Sequence, residues 1–289
     1  MNFSIFLLLA SCGSDQTLIS QPVDTVAVTT GDFDYVAAPL DYLIVDHDSF
    51  EGLISSASWS SNYDPDAVSL KVEGLFSSLE NMQFYDVIFV ASGTRGFGDR
   101  IYNGIDPDDT FVGDPAVVEN IREYVRTGGI LVATDWAYDL VQAAWPDAVD
   151  FLSAGKGFDT AQRGILTSLT ANVVNDSLAN ALDTSSVAIS FNFSDWAVMK
   201  AASSENTTTF MTGDIQYRDT TELGQTGGTT QSISGAPLLI SHSPENAGGK
   251  VIFSSFHFDA QNREIMDVIL TNVVATFEKS DATVITVGE

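Results

Sequence analysis

The sequence predicts an α/β protein, a parallel sheet with helices packed on both faces. Short, uniformly apolar runs such as "VIFV" at 87–90 and "ILVAT" at 130–134 alternate with segments of helical period. Glycine and proline stand at the joints between them. Strands buried on both faces must be apolar throughout, whereas half-exposed strands would alternate with polar residues.

Each element follows from its own signals. Tyr42 to Val45 is read as a first strand ending in the charged run Asp46-His47-Asp48. Val68, Val72, Leu75, Phe76 and Leu79 fall at helical spacing. Asp114 offers an N-cap and Pro115 a favoured first helical residue, with Val118, Ile121 and Val125 as the inner face and Gly128-Gly129 as the stop. "WAYDLVQAAW" reads as a short helix halted by Pro146. From about 160 to 245 the Thr-, Ser- and Asn-rich segments read as strands and hairpins around one short helix, "DSLANAL". "GAPLLISH" and "VIFSSFHF" read as two strands joined by a turn at 245–249, before a last helix that aligns Ile265, Val268, Ile269, Val273 and Phe277. The expectation is one α/β domain over 41–279 with a β-rich insertion or extension, followed by a tail at 280–289.

Composition limits the partners. The 289 residues carry 39 acidic against 12 basic side chains, a net charge of −27. Such a surface repels the phosphates of nucleic acids and anionic lipid leaflets alike. The 44% apolar content is that of a folded chain. With three histidines and one cysteine, a zinc site is not expected.

The amino terminus, "MNFSIFLLLASC", is too short to span a membrane and ends in small residues before the sole cysteine. Leu9-Ala10-Ser11-Cys12 resembles the lipobox of bacterial lipoproteins. That resemblance implies a signal peptide over 1–11, an acylated Cys12, and an exported protein held at the cell envelope by its lipid anchor alone. Residues 12–40 would then be a polar tether, with at most one short strand at "TVAVT".

"IREYVRTGGILVATDWAYDL" and "VIFSSFHFDA" together resemble the class I glutamine amidotransferase-like superfamily, including its ThuA-like branch. The first supplies the helix, double glycine, strand and sharp turn of that superfamily, the second its late strand with a His-x-acid pair. The resemblance covers about residues 41–155 and 235–279. It implies a flavodoxin-like fold, with Gly93 at the oxyanion loop, Asp135 at the nucleophile's place, His257 as base and Asp259 as its orienting acid. Those enzymes carry cysteine where this chain has Asp135, and glutamine hydrolysis through a thioester requires a thiolate. Cys12, near the amino terminus, cannot supply it, so amidotransferase activity is not expected.

Other chemistries compete for the same residues. Asp135, His257 and Asp259 follow the order of the Asp-His-Asp set of haloalkane dehalogenases, which implies a hydrolase using that crevice. Asp135 could equally cap the helix after it. "LIVDHDSF" is similar to the first motif of haloacid dehalogenase-like phosphatases, although "DPDD" at 106–109 precedes the strand that should deliver their second acidic pair. Asp46, Asp48 and Asp135, if gathered at one sheet edge, could hold Ca²⁺ or Mg²⁺ weakly; otherwise no cofactor is expected. "GTRGFG" at 93–98 lacks the full dinucleotide fingerprint. His47 and His242 stand isolated. Gly93, Trp136 and Phe258 could line a ligand crevice, with core packing as the commoner role for the aromatics.

These readings converge on an envelope protein whose amidotransferase-like domain binds a small molecule, a glycan or another envelope protein. The competing expectation is a hydrolase, which requires Asp135 and His257 within a one-water relay, about 8 Å.

Overall fold

A computed structural model describes residues 22–53, 70–97, 111–153, 155, 160–193, 195–202, 204–219 and 228–277. Cys12, the signal-like segment and the expected tail lie outside these residues. So do the "DPDD" run and the whole of 54–69, which includes Val68 of the second helical segment.

Six strands run parallel, in the spatial order Lys250–Ser254, Ile130–Thr134, Val87–Val90, Val26–Thr29, Asp48–Glu51 and Leu70–Lys71. Past Lys250–Ser254 the sheet becomes antiparallel, through Thr229–His242, Thr207–Asp219, Ser168–Val173 and Ser186–Ser190. The β-rich segment therefore extends the sheet rather than standing apart from it. A small pair, Arg163–Gly164 with Trp196–Ala197, attaches alongside Thr207–Asp219.

Side chains of the central strands divide by the period of two. Val87, Phe89 and Val132 enter one core with Leu40, Ile269 and Val273, whereas Ile88, Val90 and Leu131 enter the other with Ile121, Val125 and Leu140. Burying both faces is what makes these strands uniformly apolar. The helix Pro115–Arg126 matches its signals, with the Asp114 carboxylate accepting from Ala116 N. Gly129 packs under the Tyr124 ring, which leaves no room for a Cβ.

Four expectations change, one being that Phe277, expected on the last helix, falls in the short strand Thr276–Phe277 beyond it. Tyr42 to Val45 is not a strand: Ala37–Leu43 is a helix that buries Ala37, Leu40 and Leu43, and Ile44 ends it in the left-handed region (φ 59°). The apolar letters at 37, 40 and 43 are one face at helical spacing, which the adjacent Tyr42 and Ile44 disguised. The first parallel strand is instead Val26–Thr29, in the middle of the sheet, so the segment read as tether supplies a central strand. The second helical segment divides into Val72–Phe76 and Leu79–Met82, the latter capped by Ser78.

Candidate functional site

The carboxyl ends of the parallel strands gather four chain segments. Asp135 follows Ile130–Thr134 directly and adopts φ 46°. Asp is among the few non-glycine residues that enter this region readily. The elbow turns its carboxylate back over the sheet. After Lys250–Ser254, the Ser254 hydroxyl donates to Phe256 O (2.7 Å) and accepts from Phe256 N (3.1 Å), a tight turn that presents His257.

His257 Nε2 lies 2.9 Å from Asp135 Oδ2, and both side chains are almost wholly buried. The Ser92 hydroxyl donates to the same oxygen at 3.3 Å, and Ala197 N–H donates to Asp135 Oδ1 at 2.6 Å. His257 Nδ1 faces Asn192 Oδ1 at 2.7 Å. Both ring nitrogens thus meet acceptors, a carboxylate and an amide oxygen. Each must carry a proton to bond, so the geometry fits an imidazolium.

The electrostatics agree. Burial alone would lower the His257 pKa, but the Asp135 bond and the charges of Asp34, Asp135 and Asp259 outweigh it and hold the ring above its ordinary value. Asp34, delivered by the loop after Val26–Thr29, is pushed up to about 7 by burial, with His257 opposing and Asp259 adding to the rise. One of its oxygens accepts weakly from Phe258 N (3.4 Å), while Oδ1 has no partner among the described residues.

Backbone approach closes the crevice. Asp32 N and Phe33 N donate to Gly93 O and Ser92 O, both at 3.2 Å. Gly93 (φ 79°) has Phe33 against it, and a Cβ there would fall 2.5 Å from the ring. Phe33 stacks edge-on against Phe193, and Phe193 edge-on against His257. Asn192 comes from the loop that joins Ser186–Ser190 to Trp196–Ala197, so the antiparallel extension itself caps the crevice.

The sequence-predicted residues are distributed as follows. Asp135, His257 and Gly93 share this edge. Asp259 is exposed and accepts from Tyr35 N (3.4 Å). The ring bond expected of Asp259 is made by Asn192 instead, because the chain turns outward after Phe258. Trp136 and Phe258 are buried in opposite cores rather than lining an open crevice; Trp136 Nε1 donates to Asp195 O at 2.7 Å. Asp46 precedes the Asp48–Glu51 strand and Asp48 opens it, and both lie in a cleft with Asp24 and Tyr85 at the amino ends of the strands. Asp135 is at the carboxyl ends, so the expected cation trio cannot assemble, and Asp46-x-Asp48 does not end a strand as the phosphatase motif requires. No group of three or more metal-ligating side chains occurs among the described residues. Asn192 and Asp34 escaped sequence reading, since Asn192 meets His257 across 65 residues and Asp34 meets Phe258 N across 224.

No protein-family model and no curated protein matches this chain. Among solved structures it is similar to a ThuA-like protein from Bacteroides uniformis, at 13% identity over 86% of this chain and 89% of that one, with a TM-score of 0.46. It is also similar to a glutamine amidotransferase from Thermotoga maritima (9% identity, 85% and 80% covered, TM-score 0.43). A third is a cytoplasmic protein from Salmonella typhimurium (14%, 81% and 88%, TM-score 0.41). None of the three reaches a TM-score of 0.5.

Proposed function

We propose that this chain is a lipid-anchored envelope protein whose α/β domain works by binding, the Asp135–His257 pair being a structural latch rather than a catalytic dyad. One observation carries this reading: both His257 ring nitrogens are engaged by acceptors, at 2.9 and 2.7 Å. A general base needs a free ring lone pair, and an imidazolium offers none. Asp135 likewise has each oxygen engaged, by His257 and Ser92 on one and by Ala197 N on the other. A nucleophilic carboxylate must present one oxygen to its substrate. With aspartate where amidotransferases carry cysteine, glutamine is not the substrate. The partners that support a latch come from both halves of the sheet, Asp135 and His257 from the parallel half, Asn192 and Ala197 from the antiparallel half.

Two assays test this. His257→Ala should lower stability and abolish no turnover, on ester, phosphoester and haloalkane panels alike. The anchor is tested by the mass of the mature protein, which should begin at an acylated Cys12; Cys12→Ser should remain unacylated. As what this domain binds we propose a small molecule, a glycan or another envelope protein.

A second reading has one observation in its favour. Asp135 and His257 stand far inside the distance of a one-water relay, and the φ 46° elbow presents the carboxylate as a nucleophile's turn does. A hydrolase would have to withdraw Asn192 and Phe193 from His257 to work. Turnover lost in His257→Ala with the fold retained would favour it.

A further inference from the structure

In a chain with 39 acidic and 12 basic side chains, each cation should find a carboxylate. Among the described residues nearly all do. Every lysine and arginine there pairs with Asp or Glu except three, and one of these, Lys250, donates to Val273 O. The other two, Arg163 and Arg218, have neither a carboxylate nor a hydrogen-bonded acceptor among the described residues.

These two arginines stand directly opposite one another. Arg163–Gly164 pairs antiparallel with Thr207–Asp219, and Arg218 is the cross-strand partner of Arg163. Residues so opposed project to the same face, about 5 Å apart at Cβ, where like charges destabilise the sheet. Both are half-buried, and Arg163 Nη2 is buried without an acceptor. Leaving such a donor unfilled is costly, and native proteins seldom do so. Asp219, the next residue along, is exposed and falls on the opposite face by strand alternation.

The surroundings add a second unfilled group. The Arg163 guanidinium lies over the Trp136 ring, 5.8 Å from its centroid, a face that attracts the cation but offers no carboxylate. Trp136 Nε1 donates to Asp195 O (2.7 Å), and Asp195 N donates to Gly164 O (2.8 Å), beside Arg163. These bonds hold Asp195 at φ 79°, and its Oδ1 is buried with no partner among the described residues. Asp195 and Arg163 thus lie close together, of opposite charge, without pairing.

We infer that Arg163 and Arg218 bind a hydroxylated oxyanion, a small solute whose carboxylate or phosphate bridges the two guanidinium groups while its hydroxyl donates to Asp195 Oδ1. Planar guanidinium forks match the oxygens of such anions. One anion between them removes their repulsion and gives Arg163 Nη2 its acceptor. A bare anion would leave the Asp195 oxygen unfilled, which is why the ligand carries a donor. The inference rests on the reading of this domain as a binder but not on the latch, since neither arginine bonds to Asp135 or His257.

Calorimetric titration of the full chain with inorganic phosphate, glycerol 3-phosphate, acetate and glycolate tests it. Glycerol 3-phosphate or glycolate should bind, and more tightly than phosphate or acetate respectively; which of the two does so identifies the anion. Arg163→Gln and Arg218→Gln should each weaken that binding about tenfold or more. Arg263→Gln, which removes a cation paired with Asp267, should leave it unchanged. Without anion, Arg218→Gln should melt no lower than the wild type because the repulsion is gone, so its lost binding is not lost folding. Asp195→Gly, which suits φ 79°, should reduce the hydroxylated probe to the affinity of the bare one. Binding of none of the four probes, or undiminished binding in Arg218→Gln, overturns the inference. Bare anions that bind as tightly as the hydroxylated ones overturn the part given to Asp195.

Discussion

Asp135 and His257, separated by 122 residues in sequence, meet at 2.9 Å at the carboxyl edge of the sheet with almost no access to water. Burying a charged pair costs several kcal/mol per ion, and that cost is recovered only where the remaining hydrogen-bonding positions are filled. Ser92, Ala197 N and Asn192 fill them. The pair is therefore stable as an ensemble of five groups drawn from both halves of the sheet, and loss of one member strands the others.

Removing either charge should accordingly be severe. Asp135→Asn and His257→Ala are each expected to cost about 3–5 kcal/mol, because each leaves an uncompensated group in the interior. The double variant should cost much less than their sum, with a coupling of about 2 kcal/mol or more from a denaturant-based double-mutant cycle. Additive losses would mean that the two side chains do not depend on each other.

Stability should fall as pH rises through neutrality. His257 and Asp34 both hold protons more tightly in the folded chain than in the unfolded one. A group of that kind stabilises fully below its unfolded pKa and loses its contribution as pH climbs through the folded value. For Asp34 the loss spans from 3.8 to about 7; for His257 it begins near 6.5 and continues upward. Chemical denaturation between pH 4 and pH 8 should show the decline, and Asp34→Asn should flatten its lower part. A stability that rises across this range would contradict the assignment.

Two glycines separate backbone strain from crowding. Gly93 (φ 79°) has the Phe33 ring at 2.5 Å and Asp32 N at 2.9 Å from where a Cβ would sit, whereas Gly128 (φ 121°) has nothing within 4 Å. Gly128→Ala should cost about 1 kcal/mol from conformation alone. Gly93→Ala should cost at least ~2 kcal/mol and should loosen the loop carrying Asp34. Thermal melts compare the two directly, and equal losses would show that the crevice tolerates displacement of Phe33.

Much of this architecture was legible because it rests on local rules. Val87–Val90 and Ile130–Thr134 betray double-sided burial by their composition, and Asp114-Pro115 and Gly128-Gly129 bracket their helix by capping chemistry. The strand Val26–Thr29 could be read in "TVAVT", but not its place in the middle of the sheet, because four residues between polar neighbours carry too little pattern to say which strands flank them. The Ala37–Leu43 helix was hidden because Tyr42 and Ile44, both exposed, make an unbroken apolar run beside its inner face. In the site, the elbow and the histidine could be found from their strands. Asn192 and Asp34 could not, since nothing near them in sequence signals a partner on another strand's loop. Asp259 misled for the opposite reason: proximity in sequence suggested a bond that the turn after Phe258 prevents.

The most direct test is the protonation of His257 in solution, read from the ring nitrogen shifts in a ¹⁵N NMR titration. A latched imidazolium should show both nitrogens protonated at pH 7 and a pKa above the ordinary histidine value. A neutral ring at pH 7, with one nitrogen bare and a pKa at or below that value, would contradict the account and return His257 to the role of a base.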